Sequence, residues 1–445
     1  MADRRSAREF VAELAAGFTE LPAPPAGSSV VDGPIGWPGY DEARARAEER
    51  TGERESVLCG VGRIGAVEAM LIVFEFGFLG GSLGRRTGDR IEAAFTEARR
   101  RRTPVVSLIA TGGSRMQEGM AALTQLHRIA GQAALTRAAG LPQVSVLRDP
   151  TTGGGWATLG AGADVTLALP GAQVGFAGAR VRPPGDFSAY TAESQLASGL
   201  LDRIVDPAHL PETLGRWLTL LTGADGRPAE PPAALGATEP PATGWDAVLA
   251  ARAPERPRAD AYLTHYFDWC EDISGDRCGG VDDGVRCGFG SRGGVTIAYA
   301  AQRGSATRPA GFRTAARLVR LADRLGIPVL TLVDTPGAAN DAAAEREGAG
   351  SAIAEVFAAI AGASVPVTSL VIGEGGSGGA LAFAAPGRIW ATPDSFFSVT
   401  SPEAAAAILK RGPEEVPATA NRLHLRPQDL VELGIAEGIV TRTSG

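Results

Sequence analysis

The sequence predicts an α/β protein built from two duplicated domains. Three observations carry this. Short β-branched runs alternate with helical segments, as where "TPVVSLIATGG" is followed by "MQEGMAALTQLHRIAGQAAL". Prolines lead those runs in a register that repeats along the chain. Glycine pairs and triplets close them.

The repeat is explicit. Pro104 leads "PVVSLIATGG" and Pro328 leads "PVLTLVDTPG"; Pro142 leads "PQVSVLRDPTTGGG" and Pro366 leads "PVTSLVIGEGGSGGA". Both pairs are separated by one offset, 224 (328 − 104 and 366 − 142). "ALPGAQVGF" and "ATPDSFFSV" follow with Pro170 and Pro393 at an offset of 223, and "GLLDRIV" and "GIAEGIV" close the two halves. Proline-led strands recurring in one register are the mark of duplication. The domains are expected at 1–222 and 255–445, with the Pro-rich stretch 223–254 as a linker or long surface loop.

Within each half the order is strand, glycine turn, helix, strand, glycine turn, helix. Gly88–Arg100, Gln117–Ala139 and Pro309–Leu325 read as helices. The longest uncharged run, Val356–Gly373, contains Gly362 and Pro366 and reads as a buried helix, a turn and a strand, not a membrane span.

Composition narrows the function. The formal charge of −7 supplies no basic field for nucleic acid. Positive charge is almost all arginine, and Lys410 is the one lysine, so neither a P-loop nor a self-biotinylating segment is encoded. Cys59, Cys270, Cys278 and Cys287 lack CxxC spacing and read as free thiols in a reducing cytoplasm, with no metal site. The N-terminal "MADRRSAREFVAELAAGF" has charges inside every apolar stretch, unlike a signal peptide.

The chemistry is expected at the glycines, 59 in 445 residues or about 13%, against a usual ~7%. Four turns stand out: "GFLGGSLG" (77–84), "ATGGSRMQEG" (110–119), "DPTTGGG" (149–155) and "EGGSGGA" (374–380). Such turns at strand ends aim backbone N–H groups at a developing negative charge. That makes an oxyanion hole, each donor of which contributes on the order of 10²–10³ in rate. The implied reaction passes through an enolate or a similar oxyanion.

These stretches resemble the carboxyltransferase component of biotin-dependent acyl-CoA carboxylases, within the crotonase (ClpP)-like superfamily. "FEFGFLGGSLG", "GGSRMQEGM", "AGLPQVSVLRDPTTGG" and "VGFAGARV" resemble the β subunit of the bacterial acetyl-CoA enzyme. "RPAGFRTAARLVRLADRLGIPVLTLVDTPGA", "VIGEGGSGGALA" and "SVTSPEAAAAIL" resemble its α subunit. The resemblance spans roughly 30–205 and 255–442 and makes the chain a fusion of the two.

What the resemblance implies is specific. Carboxybiotin on a separate carrier protein enters between an N-type and a C-type domain, releases CO₂, and takes the α-proton of an acyl-CoA whose enolate captures the CO₂. The amides of Gly112 and Gly113 would hold the thioester enolate oxygen, with Gly80, Gly81, Gly153 and Gly154 lining the CoA side. Those of Gly379 and Ala380 would hold the biotin ureido oxygen, with Gly337, Gly375, Gly376 and Gly378 lining that side. Biotin carboxyl carrier protein, biotin carboxylase and further copies of the chain would be its partners.

Individual side chains carry two readings each. Arg99 and Arg100 either satisfy a helix C-terminus or meet CoA phosphates. Arg115 and Glu118 read as supports of the turn, Asp334 as a turn stabiliser, and Glu374 as a helix cap. His127, His209, His265 and His424 show no triad or metal spacing. Decarboxylation of a malonyl thioester, or a non-catalytic carboxyltransferase-like subunit, fits the same residues.

Overall fold

A computed structural model describes residues 5–25 and 30–442; the ends of both predicted domains, 1–4 and 443–445, lie outside the described residues. The chain forms two compact units, 1–222 and 223–445.

The first unit contains β1 (Ala16–Glu20), β2 (Val57–Ile64), β3 (Val67–Phe74), β4 (Val105–Thr111), β5 (Gln143–Thr152), β6 (Val165–Ala168), β7 (Val174–Gly175) and β8 (Arg203–Ile204). They form one sheet in the order β1-β2-β3-β4-β5-β6-β8, with β7 pairing β5. The second unit contains β9 (Trp269–Ile273), β10 (Val285–Arg292), β11 (Val295–Gln302), β12 (Val329–Thr335), β13 (Val367–Gly376), β14 (Ile389–Ala391), β15 (Phe396–Ser398) and β16 (Gly438–Ile439). Its sheet runs β16-β14-β13-β12-β11-β10-β9, with β15 pairing β13.

Duplication extends to the register. Val105 pairs with Gln143 in the first sheet, and Val329 pairs with Val367 in the second, both positions shifted by the offset of the prolines. Every residue of β4 and β12 is buried, as expected of parallel strands covered on both faces.

The helices follow the expected stripes. Pro309–Leu325 begins with Pro at its first position and ends at Gly326 in the left-handed region, the asymmetry that starts and stops helices. The first unit's long helix runs Arg85–Arg101, one turn longer at its start than predicted. The segment expected as one helix over 117–139 is broken into a 3₁₀ turn, Met116–Glu118, and helices Met120–Leu123 and Gln125–Ala138. The backbone at Gly119 (φ 53°, ψ −133°) cannot continue a helix. Val356–Gly373 resolves into the end of the helix Ala349–Gly362, a turn, and β13.

One expectation is corrected. The stretch 223–254 is part of the second unit, not a linker. Ala229 and Ala234 are buried, the Ala229 carbonyl accepts from Thr368 Oγ1, and the Tyr262 hydroxyl accepts from Leu235 N. Its end forms the helix Gly244–Arg252, started by a Thr243/Asp246 capping box. Proline content signalled irregular backbone, but irregular backbone can still be packed. Among the described residues no helix is long and apolar enough to cross a membrane.

Candidate active site

In the first unit two glycine turns meet at the ends of adjacent parallel strands. β4 runs into Gly112–Ser114. There Leu83 N donates to Gly113 O (2.8 Å) and Arg115 N donates to Leu83 O (2.9 Å). β5 runs into Gly153, whose N–H donates to Phe176 O (3.0 Å). The turns touch: a Cβ on Gly153 would lie 3.0 Å from Gly113 Cα. Both positions need glycine for a second reason, since φ is 103° at Gly113 and 62° at Gly153.

The second unit repeats this arrangement. Thr307 N donates to Gly337 O (3.0 Å) and Ala339 N to Thr307 O (2.9 Å), each residue at the same offset from its counterpart. Gly113 N donates to Thr111 Oγ1 at 3.1 Å, and Gly337 N to Thr335 Oγ1 at 3.1 Å. The partner turn is again close, because a Cβ on Gly379 would lie 2.3 Å from Ala338 N. Gly379 and Ala380 are buried beneath exposed Ser377 and Gly378.

The expected site residues therefore sort by position. Gly113, Gly153 and Gly154 come together, as do Gly337, Gly379 and Ala380. Gly112 is corrected from hole donor to brace, because its N–H is spent on Gly80 O at 2.9 Å. Gly81, Gly375 and Gly376 serve close packing: added Cβ atoms would meet Ala110 O at 2.0 Å, Phe397 at 2.6 Å and Pro336 O at 2.1 Å. Arg99 and Arg100 are corrected as well. They end the helix that leads into the start of β4, whereas the glycine turn follows its end. Arg99 is held by Gln132 and Thr136, and Arg100 by Glu97. Exposed Arg85 and Arg86 open the same helix beside Leu83 and line a cleft of about 790 Å³ with Tyr40, Arg44 and Arg54.

Buried ion pairs hold the turns in place. Arg115 is fully buried and reaches Glu55, Glu118 (3.3 Å) and the Ser82 carbonyl (2.8 Å). It thereby ties the 80–84 loop to the 112–115 turn. Burial alone would push the Glu55 carboxyl up, but the Arg115 guanidinium overrides it and holds that group down to about 2. In the second unit Asp334, 1% exposed, accepts from Arg256 (3.0 and 2.9 Å), from Arg258 (3.2 Å) and from Glu374 N (3.2 Å). The expected turn stabiliser is thus an inter-strand brace. Glu374 is not a cap: it sits on β13 and pairs with Arg252 at 2.9 Å.

Sequence reading gave no role to Glu55, Arg256 or Arg258, which lie far from the turns in sequence. Among the described residues no three His, Cys, Asp or Glu side chains form a group that could hold a metal, and all four cysteines are free.

Comparison with known proteins agrees with this arrangement. Residues 37–199 match a carboxyl transferase domain, and residues 240–445 an acetyl co-enzyme A carboxylase carboxyltransferase-like domain. The acetyl-coenzyme A carboxylase carboxyl transferase subunits beta/alpha of Saccharopolyspora erythraea are 38% identical over 430 residues, covering 91% of this chain and 75% of that protein. A probable biotin-dependent acyl-coenzyme A carboxylase beta3 subunit of Mycobacterium bovis is 34% identical, covering 90% and 83%. Among solved structures, transcarboxylase 12S with hydrolysed methylmalonyl-coenzyme A bound superposes with a TM-score of 0.80 at 20% identity, covering 98% of this chain and 87% of that one, a likeness of fold. With two sheet units in duplicate and relatives this similar over nine-tenths of its length, the chain belongs to the carboxyltransferase family of biotin-dependent acyl-CoA carboxylases.

Proposed function

We propose that the two units divide the reactants of carboxyl transfer. The first unit takes the acyl-CoA, whose thioester oxygen accepts from Gly113 N–H and from the facing turn at Gly153–Gly154. The second takes carboxybiotin presented by a carrier protein, whose ureido oxygen accepts from Ala380 N–H beside Gly337. The observation that carries this reading is the contact of two glycine turns in each unit, with the bracing of the first turn repeated at one offset.

The chemistry needs little from side chains. Carboxybiotin, when bound, would supply both the CO₂ and, on the ureido nitrogen that keeps the electron pair of the broken N–CO₂ bond, the base for the α-proton of the acyl-CoA, whose enolate carbon would bond to that CO₂. What the chain supplies is fixed amide dipoles at two oxygens whose charge grows during the reaction, a term on the order of 3–4 kcal/mol per donor. The donors are neutral amides and the threonine hydroxyls behind them, a set suited to a urea-like or enolate oxygen. Thr111 Oγ1 now takes the Gly113 N–H from within the turn itself, and a hydroxyl can share that donor with an arriving oxygen. Arg85 and Arg86, placed on the helix that opens beside the first turn, are the cations proposed for the CoA phosphates.

The same reading places the protein in the cytoplasm, with a biotin carboxylase and its carrier as partners. It also assembles with copies of itself; a hexamer is described for transcarboxylase 12S, and this supports the expectation. The test is to supply carboxylated carrier protein with a panel of acyl-CoAs and follow labelled carboxylate. Carrier-dependent formation of a malonyl-type thioester is expected. Release of CO₂ from malonyl-CoA without carrier, and no forward transfer, would overturn the assignment of the second unit.

A further inference from the structure

Gln302 ends β11 with a side chain that is fully buried. Its Nε2 donates to the carbonyl of Gly379 at 3.0 Å and to Thr307 Oγ1 at 3.1 Å. The Gly379 carbonyl and the Ala380 N–H belong to one planar peptide group. A hydrogen bond on its oxygen therefore sets the direction of the N–H and polarises it. Thr307 is paired in turn with the other glycine turn, donating its N–H to Gly337 O. One side chain thus ties both turns of the second unit.

The first unit shows that the fold does not require this. Met70 of β3 pairs with Val105, and Ala298 of β11 pairs with Val329, so Gln302 occupies the place of Phe74. Thr307 occupies the place of Leu83, whose contacts with Gly113 and Arg115 match those of Thr307 with Gly337 and Ala339. Phe74 and Leu83 are both fully buried in the apolar core. The second unit replaces that apolar pair by a polar one. The replacement is costly, since Gln302 Oε1 finds no hydrogen-bond partner among the described residues, and an unpaired buried acceptor carries its desolvation penalty in full. Packing does not explain a glutamine here; the bond to Gly379 does.

We infer that Gln302 is a positioning residue that holds the Gly379–Ala380 peptide for the ureido oxygen of biotin, an inference that rests on the assignment of the second unit to biotin. A neutral ureido oxygen is a weaker acceptor than an enolate, so its donor must be aligned before the ligand arrives. The experiment uses the full chain with Gln302→Met, which keeps the volume and removes the donor, and Gln302→Met/Thr307→Val, which restores an apolar pair. Affinity for free biotin and for an acyl-CoA, the thermal midpoint, and kcat and KM for carboxylated carrier are measured.

Both variants are expected to keep the midpoint and the acyl-CoA affinity, while biotin affinity and kcat fall about tenfold, the lower end of the 10- to 100-fold loss typical when outer-shell partners of metal ligands are removed. Hydrogen exchange across 377–383 is expected to quicken, a readout that holds even if the midpoint falls. Wild-type biotin affinity and exchange in both variants would overturn the inference. So would an equal loss of acyl-CoA affinity, which marks a general structural role. If the unaltered chain binds acyl-CoA but not biotin, the biotin assignment itself falls, and the role of Gln302 with it.

Discussion

Gly153 and Ser377 occupy the same point in the two units, at the offset that relates the strands, and both have positive φ, 62° and 55°. The backbone conformation is set by the turn; only the residue differs. In the first unit glycine adopts it without strain, whereas in the second a serine does so against its Cβ, at a cost of about 1–2 kcal/mol. Ser377→Gly is accordingly expected to stabilise the chain by about 0.5–1 kcal/mol, less than the strain because glycine also frees the unfolded chain. Denaturant midpoints measure it. An unchanged or lower midpoint would show that the strain is already relieved by contacts of the serine.

Gly113→Ala tests the first hole. A methyl group there has room, with Gly153 Cα the nearest atom at 3.7 Å, but φ is 103°. Strain of about 1–3 kcal/mol is expected, enough to lower the midpoint without unfolding the chain. Turnover is expected to drop about 10²-fold or more as the amide leaves its direction. Activity within threefold of wild type would remove Gly113 from the hole.

The Arg115–Glu55 pair makes stability depend on acid. The Glu55 carboxyl is held near 2 in the folded chain, below its ordinary value of 4.5. A depressed carboxylate contributes its full stabilisation above the unfolded value and loses it as pH falls through 4.5 toward 2. Unfolding free energies between pH 6 and pH 3 are expected to fall, and Glu55→Gln is expected to flatten that slope. Arg115→Met takes the guanidinium from the buried Glu55 charge, which keeps only hydrogen bonds from Ser56 N and Thr87 Oγ1, and is expected to cost about 3–5 kcal/mol. A slope unchanged by Glu55→Gln would assign the acid sensitivity elsewhere.

The cations at the two ends of one helix are expected to behave differently. Arg85→Ala/Arg86→Ala removes the exposed pair beside Leu83, and a rise of about tenfold in the KM for acyl-CoA is expected with kcat retained. Arg99→Ala/Arg100→Ala breaks contacts to Gln132, Thr136 and Glu97 and is expected to leave that KM unchanged. Steady-state kinetics with varied acyl-CoA decides between them. The opposite pattern would return the CoA phosphates to the far end of the helix.

The sequence by itself determined the duplication, the strand–turn–helix order and the places where the glycine turns fall. These are local or periodic properties: a proline before a strand, a glycine run after it, and an offset of 224 shared by two such pairs. Only the tertiary structure decided how the turns are braced. The Gly112 N–H is taken by the carbonyl of Gly80, on an earlier loop beyond a whole helix and strand. The same holds for Arg99 and Arg100, since which end of a parallel strand a helix C-terminus reaches is a property of the sheet. The supports Glu55, Asp334 with Arg256, and Gln302 act across 60, 78 and 77 residues of chain. A contact between residues so far apart leaves no spacing in the sequence, because only the pairing of the strands brings them together.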